Sequence, residues 1–144
     1  YNNANNAIAN AAAIDAIKRS SAIVIAPANP ISSIGPIVAL SDLRKELVRN
    51  RDKVIAISPL IGKRALSGPA IKYMKALRFQ NSSIGVARYY HDFVSKFIIS
   101  VEDHSMKLQI EALNMHVYET NITMKTRRDE VRLGKHILKL MEKN

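Results

Sequence analysis

Four short apolar segments alternate along the chain with longer segments of helical pattern, and this alternation constrains the fold more than any other feature. The apolar segments span residues 22–26, 53–58, 96–101 and 115–120. The first three are almost uninterrupted runs rich in β-branched residues, which is typical of strands buried on both faces. Strands that alternate with helices favour a mostly parallel sheet covered on both sides. The sequence therefore predicts a three-layer, Rossmann-like α/β fold with helices on both faces.

The chain begins with a segment of different composition. Residues 1–13 are almost entirely Asn and Ala, with no charge and no clear apolar face. Since Ala favours helix and Asn opposes it, this segment is predicted to be disordered, followed by a short helix over residues 14–18. Residues 14–144 are predicted to form one partial α/β domain.

Composition narrows the range of functions. The 144 residues include no Cys, which excludes disulfides, Cys-ligated zinc and thiol catalysis. No apolar run approaches the ~20 residues of a membrane span, and no secretory signal is visible, so a cytoplasmic protein is expected. The net charge of +10 predicts either an anionic partner or a basic solvated surface, because the charges are spread along the chain.

The polar segment after the first predicted strand is the strongest candidate for a ligand site. Residues 27–33 (PANPISS) form a turn, and a helix is predicted from Ile34 with Ser32 or Ser33 as its N-cap. A strand, a loop of small residues and a helix N-terminus can present backbone N–H groups to an anion. The predicted nucleotide- or phosphate-binding residues are Asn29, Ser32, Ser33 and Gly35.

Two further segments follow predicted strands, and ligands of parallel sheets bind at the carboxyl ends of the strands. These segments are residues 59–67 and the residues around Asn121. The substrate-loop candidates are Ser58, Pro59, Gly68 and Asn121. The pair Glu102 and Asp103 can supply oxygen ligands to a metal, although a solvated turn is the preferred interpretation.

No complete catalytic set is present in the sequence. Arg88 can bind a phosphate or carboxylate through its planar guanidinium group, or it can be a surface arginine on a helix whose aromatic residues pack inward. The four histidines show no metal-ligand spacing, and no Walker loop or nucleophile elbow is present. The residues alone therefore predict a nucleotide- or phosphate-binding domain and nothing finer.

A family resemblance extends this interpretation. Residues 26–37 (APANPISSIGPI) resemble the APxNPxxSIGPI signature of the 2-phospho-L-lactate transferase family. Further similar segments follow in order: AISPLIG at 56–62, SGPA at 67–70, GVARYY at 85–90, TNITM at 120–124 and DEVRL at 129–133. The resemblance covers residues 15–144 and corresponds to the C-terminal half of the family, so this chain is expected to be inactive on its own.

The resemblance implies a transfer reaction in coenzyme F-420 biosynthesis. A guanosine-diphosphate-activated phospholactate or phosphoenolpyruvate donates its phosphate-bearing unit to the deazaflavin FO, Mg²⁺ assists and GMP leaves. The resemblance implies that Asn29, Ser32, Ser33 and Gly35 hold the diphosphate and that Arg88 stabilises charge. It also implies a homodimer, and it leaves the metal ligands unassigned. Asn121 stands where the family usually has Asp.

Two alternatives remain open at this point. A related gluconeogenesis-factor family shares the expected fold and implies a nucleotide-sugar-binding regulatory protein. Its loop favours Gly and Ser where this chain has Asn29 and Pro30, so the signature favours the transferase. Nucleic-acid binding is supported only by the net charge, because the few aromatic residues are not interleaved with basic runs.

Overall fold

The predicted parallel sheet is confirmed by the computed structural model, which describes residues 7–66 and 68–142. Its main strands are β1 (Ile23–Ile25), β2 (Val54–Ile57), β5 (Lys96–Ser100) and β6 (His116–Thr120), and a separate hairpin contains β3 (Leu60–Ile61) and β4 (Arg64–Ala65). The sheet order is β1-β2-β5-β6, and all three neighbouring pairs are parallel. Consecutive parallel strands point their carboxyl ends the same way, so the segments that follow them meet at one edge.

Helices connect and flank these strands. They are α1 (Ala11–Arg19), α2 (Gly35–Val38), α3 (Ser41–Arg49), α4 (Ala70–Ala76), α5 (Ser83–Tyr90), α6 (Lys107–Glu111) and α7 (Arg127–Met141). A π-helical turn at Pro30–Ile34 continues directly into α2, and short 3₁₀ segments span Arg51–Lys53 and Val101–Met106. Within the described ranges, no helix combines the length and apolar character that crossing a membrane requires.

The core lies in two layers because successive strand residues point to opposite faces of the sheet. Ile55, Ile57 and Ile98 pack on one face with residues of α7, among them Leu133 and Leu140. The opposite face carries the larger cluster, to which α3, α4, α5 and α6 contribute. The prediction of helices on both faces is therefore confirmed.

The N-terminal region differs from its prediction. Helix α1 begins at Ala11 because the side-chain oxygen of Asn10 accepts the N–H of Ala12 at 2.8 Å. Ala9 is buried and donates its N–H to Asp42 at 3.0 Å. The predicted disorder is therefore wrong for residues 9–13, whereas residues 1–6 lie outside the described residues.

The segment after β2 also differs, since the predicted loop contains the β3–β4 hairpin. Gly62 lies in its turn with φ of +58°, a left-handed conformation that glycine adopts without steric cost. The hairpin projects from the end of β2, so it reaches over the edge of the sheet where a ligand is expected.

Two glycines provide a matched test of the packing. A Cβ atom on Gly85 in α5 would lie 1.8 Å from the carbonyl oxygen of Gln80, whereas a Cβ atom on Gly134 in α7 meets nothing within 4 Å. We expect Gly85→Ala to lower the free energy of unfolding by about 3 kcal/mol, as overpacking does. Gly134→Ala should raise it by about 0.5–1 kcal/mol, because alanine loses less backbone entropy in a helix. Urea unfolding measures both, and equal values for the two variants would contradict this packing.

Candidate functional site

The candidate site lies at the carboxyl ends of the four parallel strands, which we call the carboxyl edge. Four segments meet there: residues 26–34 after β1, 58–66 after β2, 101–106 after β5 and 121–126 after β6. Ligands of open α/β sheets bind at this edge, outside the strand ends. Three of these segments contain residues that the sequence predicts to bind ligand.

Asn29 organises the segment after β1. Its side-chain oxygen accepts the N–H groups of Ile31 and Ser32 at 3.0 and 3.1 Å, and its carbonyl oxygen accepts those of Ser33 and Ile34 at 3.0 and 3.1 Å. Pro30 follows at the first helical position, where a missing N–H costs nothing. Asn29 is therefore the N-cap of this helix, and the predicted cap at Ser32 or Ser33 is wrong.

This arrangement changes what the loop can offer to an anion. The sequence predicts that the N–H groups at the start of this helix are free to bind an anion. In the structure, the four N–H groups that open the helix all donate to Asn29 instead. The side chains of Ser32 and Ser33 are exposed, whereas Gly35 is buried. The side-chain nitrogen of Asn29 is buried and has no hydrogen-bond partner among the described residues. The exposed hydroxyl groups of Ser32 and Ser33 are thus the side-chain donors that this loop can present to a ligand.

An apolar cleft of about 400 Å³ lies on one side of this loop. The lining residues are Ile31, Ser32, Tyr73, Ala76, Leu77 and Tyr89. The rings of Tyr89 and Phe79 meet edge to face with centroids 5.3 Å apart, which fixes one wall of the cleft. A cleft lined by two tyrosine rings, aliphatic side chains and one serine suits a planar ring system with a polar substituent.

A second, more polar cleft borders the start of the same loop, and we call it the edge cleft. It consists of two adjoining parts of about 310 and 360 Å³ that share Leu66, Thr123 and Lys125 as lining residues. Pro27 lines the first part, and Arg64 and Glu102 line the second. The loop after β1 therefore borders both clefts, since Ile31 and Ser32 face the apolar cleft.

A buried hydrogen-bond network holds the hairpin over the carboxyl edge. Asp103 is completely buried, and its carboxyl oxygens accept the N–H of Gly62 and the hydroxyl of Ser83, each at 2.7 Å. The Ser83 hydroxyl lies 2.9 Å from that of Ser58, which accepts the N–H of Leu60 at 3.1 Å. The network joins the ends of β2 and β5 to the start of α5.

The structure corrects one prediction here and places two predicted substrate-loop residues in the interior. The pair Glu102 and Asp103 is not a solvated turn, because Asp103 is fully buried while Glu102 is exposed and bonds Arg64 at 3.2 Å. Ser58 and Pro59 were expected to line a substrate loop, but both are buried. Ser58 acts inside the protein, where it supports the hairpin.

The segment after β6 is fixed at both ends. The side-chain oxygen of Asn121 accepts the N–H of Thr123 at 2.9 Å. Arg132 donates to the carbonyl oxygens of Asn121 and Thr123 at 3.2 and 2.9 Å. Asn121 therefore shapes this segment with its side chain, and Thr123 is held at the edge cleft.

The start of α7 anchors the same segment. Thr126 and Asp129 form a capping box, because Thr126 accepts the N–H of Asp129 and Asp129 accepts the N–H of Thr126. Hydrogen bonds from Arg132, Thr126 and the N–H of Lys125 hold the pKa of the Asp129 carboxyl group well below its usual range. The backbone of Lys125 is therefore fixed, whereas its side chain projects from a rigid turn.

Two predicted residues lie apart from these contacts. Arg88 is exposed near the end of α5, about 7.5 Å along the helix axis from Ser83 at the carboxyl edge. Its guanidinium group makes no hydrogen bond or ion pair with the residues that the structure describes. Gly68 is exposed with φ of +62°, before α4. Neither residue lines the apolar cleft or the edge cleft.

Sequence reasoning considered Asp103 only as a possible metal ligand, and it missed Lys125, Tyr73 and Tyr89 as contributors to this region. Asp103 and Lys125 follow β5 and β6 within a few residues, so their position after a predicted strand was the available signal. The two tyrosines lie on different helices, and no sequence spacing connects them. Their proximity depends on how α4 and α5 pack beside the loop after β1.

Comparisons with known proteins identify relatives of this chain. The model of the family "2-phospho-L-lactate transferase CofD" matches residues 1–142. The chain is 42% identical over 126 residues to the 2-phospho-L-lactate transferase of Methanocaldococcus jannaschii, which covers 88% of this chain and 39% of that protein. The corresponding enzyme of Methanosarcina mazei is 40% identical over 111 residues, which covers 77% of this chain and 36% of that protein.

A third relative extends the match further along this chain. The 2-phospho-L-lactate transferase of Methanococcus maripaludis is 38% identical over 138 residues, or 96% of this chain and 43% of that protein. The chain thus spans about two-fifths of the length of the curated relatives that it matches. The matched region contains all four segments of the carboxyl edge.

The Asp103 network leads to a stability prediction. Asp103→Ala leaves the N–H of Gly62 and the hydroxyl of Ser83 without their buried acceptor, so we expect it to lower the free energy of unfolding by about 3 kcal/mol. The neighbouring substitution Glu102→Ala removes only an exposed ion pair and should cost less than about 1 kcal/mol. Chemical denaturation of both variants measures the difference. A cost for Asp103→Ala no greater than that for Glu102→Ala would show that the network does not hold the hairpin.

Proposed function

Since the chain belongs to the 2-phospho-L-lactate transferase CofD family, we propose that it serves the transfer reaction of coenzyme F-420 biosynthesis. The proposed donor is a guanosine-diphosphate-linked phospholactate or phosphoenolpyruvate, the acceptor is the deazaflavin FO, and GMP is released. The observation that carries this proposal is the family match over residues 1–142, which includes every segment of the carboxyl edge. The activity is proposed for the whole enzyme, with this chain contributing the site described above.

The apolar cleft is the proposed position of the donor's guanine ring. Tyr73 and Tyr89 supply flat aromatic surface, and the Ser32 hydroxyl supplies one polar contact. Stacking on aromatic side chains is a common way to hold a base, because every base has a π face. Asn29 keeps Ile31 and Ser32 in place, so its proposed role is to shape the loop.

The remaining predicted residues have proposed roles of different kinds. Ser33 presents an exposed hydroxyl group to the ribose or the diphosphate, while Gly35 lies in the buried first turn of α2 and acts through packing. Arg88 is proposed to balance charge on the transferring group, which is consistent with its lack of an acidic partner among the described residues. Its place outside both clefts means that this role requires substrate to extend toward α5.

Mg²⁺ and a homodimer are proposed from the family resemblance alone. No group of three or more His, Asp or Glu side chains lies close enough to hold a metal ion in the described part of the chain. Glu102 is the carboxylate that lines the edge cleft, and it is paired with Arg64. These residues do not fit a complete Mg²⁺ site.

The proposal predicts selective binding of a guanine nucleotide. Calorimetric titration of the folded chain with GDP and MgCl₂ should show binding, with a much weaker response to a uridine diphosphate sugar. Asn29→Ala leaves the N–H groups of Ile31 and Ser32 without their acceptor, so we expect it to weaken GDP binding about tenfold.

Asn10→Ala is the matched control, because it removes a helix cap of the same kind from α1. Both substitutions should cost about 1 kcal/mol of stability, but only Asn29→Ala should change GDP affinity. Preference for the uridine sugar would support the regulatory alternative. A folded chain that does not bind GDP would contradict a guanine-nucleotide site in this part of the enzyme.

A further inference from the structure

Lys125 stands out among the charged groups at the carboxyl edge. It lines both parts of the edge cleft, and its side chain makes no hydrogen bond or ion pair with any described residue. Arg64 is the other cation that lines the edge cleft, and it is paired with Glu102. Lys125 is therefore an exposed lysine that lines the edge cleft and whose charge is not compensated by any described residue.

Thr123 adds a neutral hydrogen-bond donor beside this charge. Its backbone is fixed by Asn121 and Arg132, and its hydroxyl group has no partner among the described residues. Thr123 lines both parts of the edge cleft, as Lys125 does. A lysine ammonium group and a hydroxyl group together match the oxygen atoms of a phosphate, since both can donate to them.

The state of the loop after β1 favours a cation elsewhere at the site. A phosphate at that loop would normally be held by the free N–H groups of the helix start. Here the N–H groups of Ile31, Ser32, Ser33 and Ile34 already donate to Asn29. The loop therefore offers hydroxyl groups and little positive charge to a ligand. Negative charge on a ligand must then be balanced elsewhere. The edge cleft begins at Pro27 of the same loop.

We propose that the edge cleft is a phosphate-binding subsite in which Lys125 and Thr123 bind a phosphate group of the ligand. A nucleotide would lie across the loop after β1, with its ring in the apolar cleft and its phosphate groups in the edge cleft. The identity of the ligand as a guanine nucleotide rests on the proposed function, whereas the phosphate chemistry follows from the cleft itself.

The turn that carries Lys125 is built to keep its geometry without a ligand. Arg132 holds two carbonyl groups of the segment, and Asp129 accepts the N–H groups of Lys125 and Thr126 at 3.2 and 3.0 Å. Ile122, which lies between Asn121 and Thr123 in the sequence, is fully buried and anchors the segment to the core. A preorganised backbone lowers the entropy lost on binding, so a single free cation can contribute measurably.

The test uses inorganic pyrophosphate, which carries the phosphate chemistry without a base or sugar. Calorimetric titration of the wild-type chain should show binding, and Lys125→Gln should weaken it about tenfold, as expected for loss of a charge-assisted hydrogen bond. Lys125→Arg keeps the charge and should retain affinity within about threefold. Lys135→Gln, which removes an exposed lysine on α7 outside the edge cleft, should change it less than about twofold.

The outcomes separate the subsite from the proposed function. The subsite is wrong if pyrophosphate does not bind, or if Lys125→Gln and Lys135→Gln weaken binding equally, which would indicate general electrostatic attraction. GDP binding that is unaffected by Lys125→Gln would reject the subsite and leave the proposed function standing. Pyrophosphate binding that depends on Lys125, together with no preference for GDP over a uridine diphosphate sugar, would support the subsite and reject the guanine-nucleotide function.

Discussion

The carboxyl edge depends on the buried carboxyl group of Asp103. Its two oxygens bind Gly62 in the hairpin and Ser83 at the start of α5, and the Ser83 hydroxyl continues the contact to Ser58 at the end of β2. A buried acceptor with satisfied partners fixes geometry, because losing any partner leaves an unpaired polar group in the interior. The hairpin, and with it Arg64 at the edge cleft, therefore has a fixed position over the sheet.

At the start of the π-helical turn, as at Asp103, polar groups are bonded within the protein and so are not available to a ligand. Asn29 satisfies the first N–H groups of this helix internally, which stabilises the loop but removes the donors that commonly bind anions. The apolar cleft beside Tyr73 and Tyr89 then suits a ring, and the edge cleft with Lys125 suits negative charge. The loop borders both the apolar cleft and the edge cleft. An elongated ligand with a ring at one end and phosphate groups at the other requires two such neighbouring clefts.

Sequence patterns predicted the sheet because β-branched runs such as that around Val54 have few other stable arrangements. The capping box of Thr126 and Asp129 was predictable for the same reason, since it is local. The cap at Asn29 was missed because Ser32 and Ser33 have similar capping preferences, and only tertiary packing selects the start. The burial of Asp103 depends on a partner twenty residues away, so local composition indicated a solvated turn.

If one ligand occupies both clefts that border the loop after β1, its binding must perturb residues of each. Chemical-shift mapping of the ¹⁵N-labelled chain during titration with GDP measures this. We expect the largest amide shifts at Ser32, Tyr73 and Lys125, in the loop and in both clefts. Shifts confined to the opposite edge, around His91 and Asn114 where Arg51 donates to their carbonyl oxygens, would contradict this expectation.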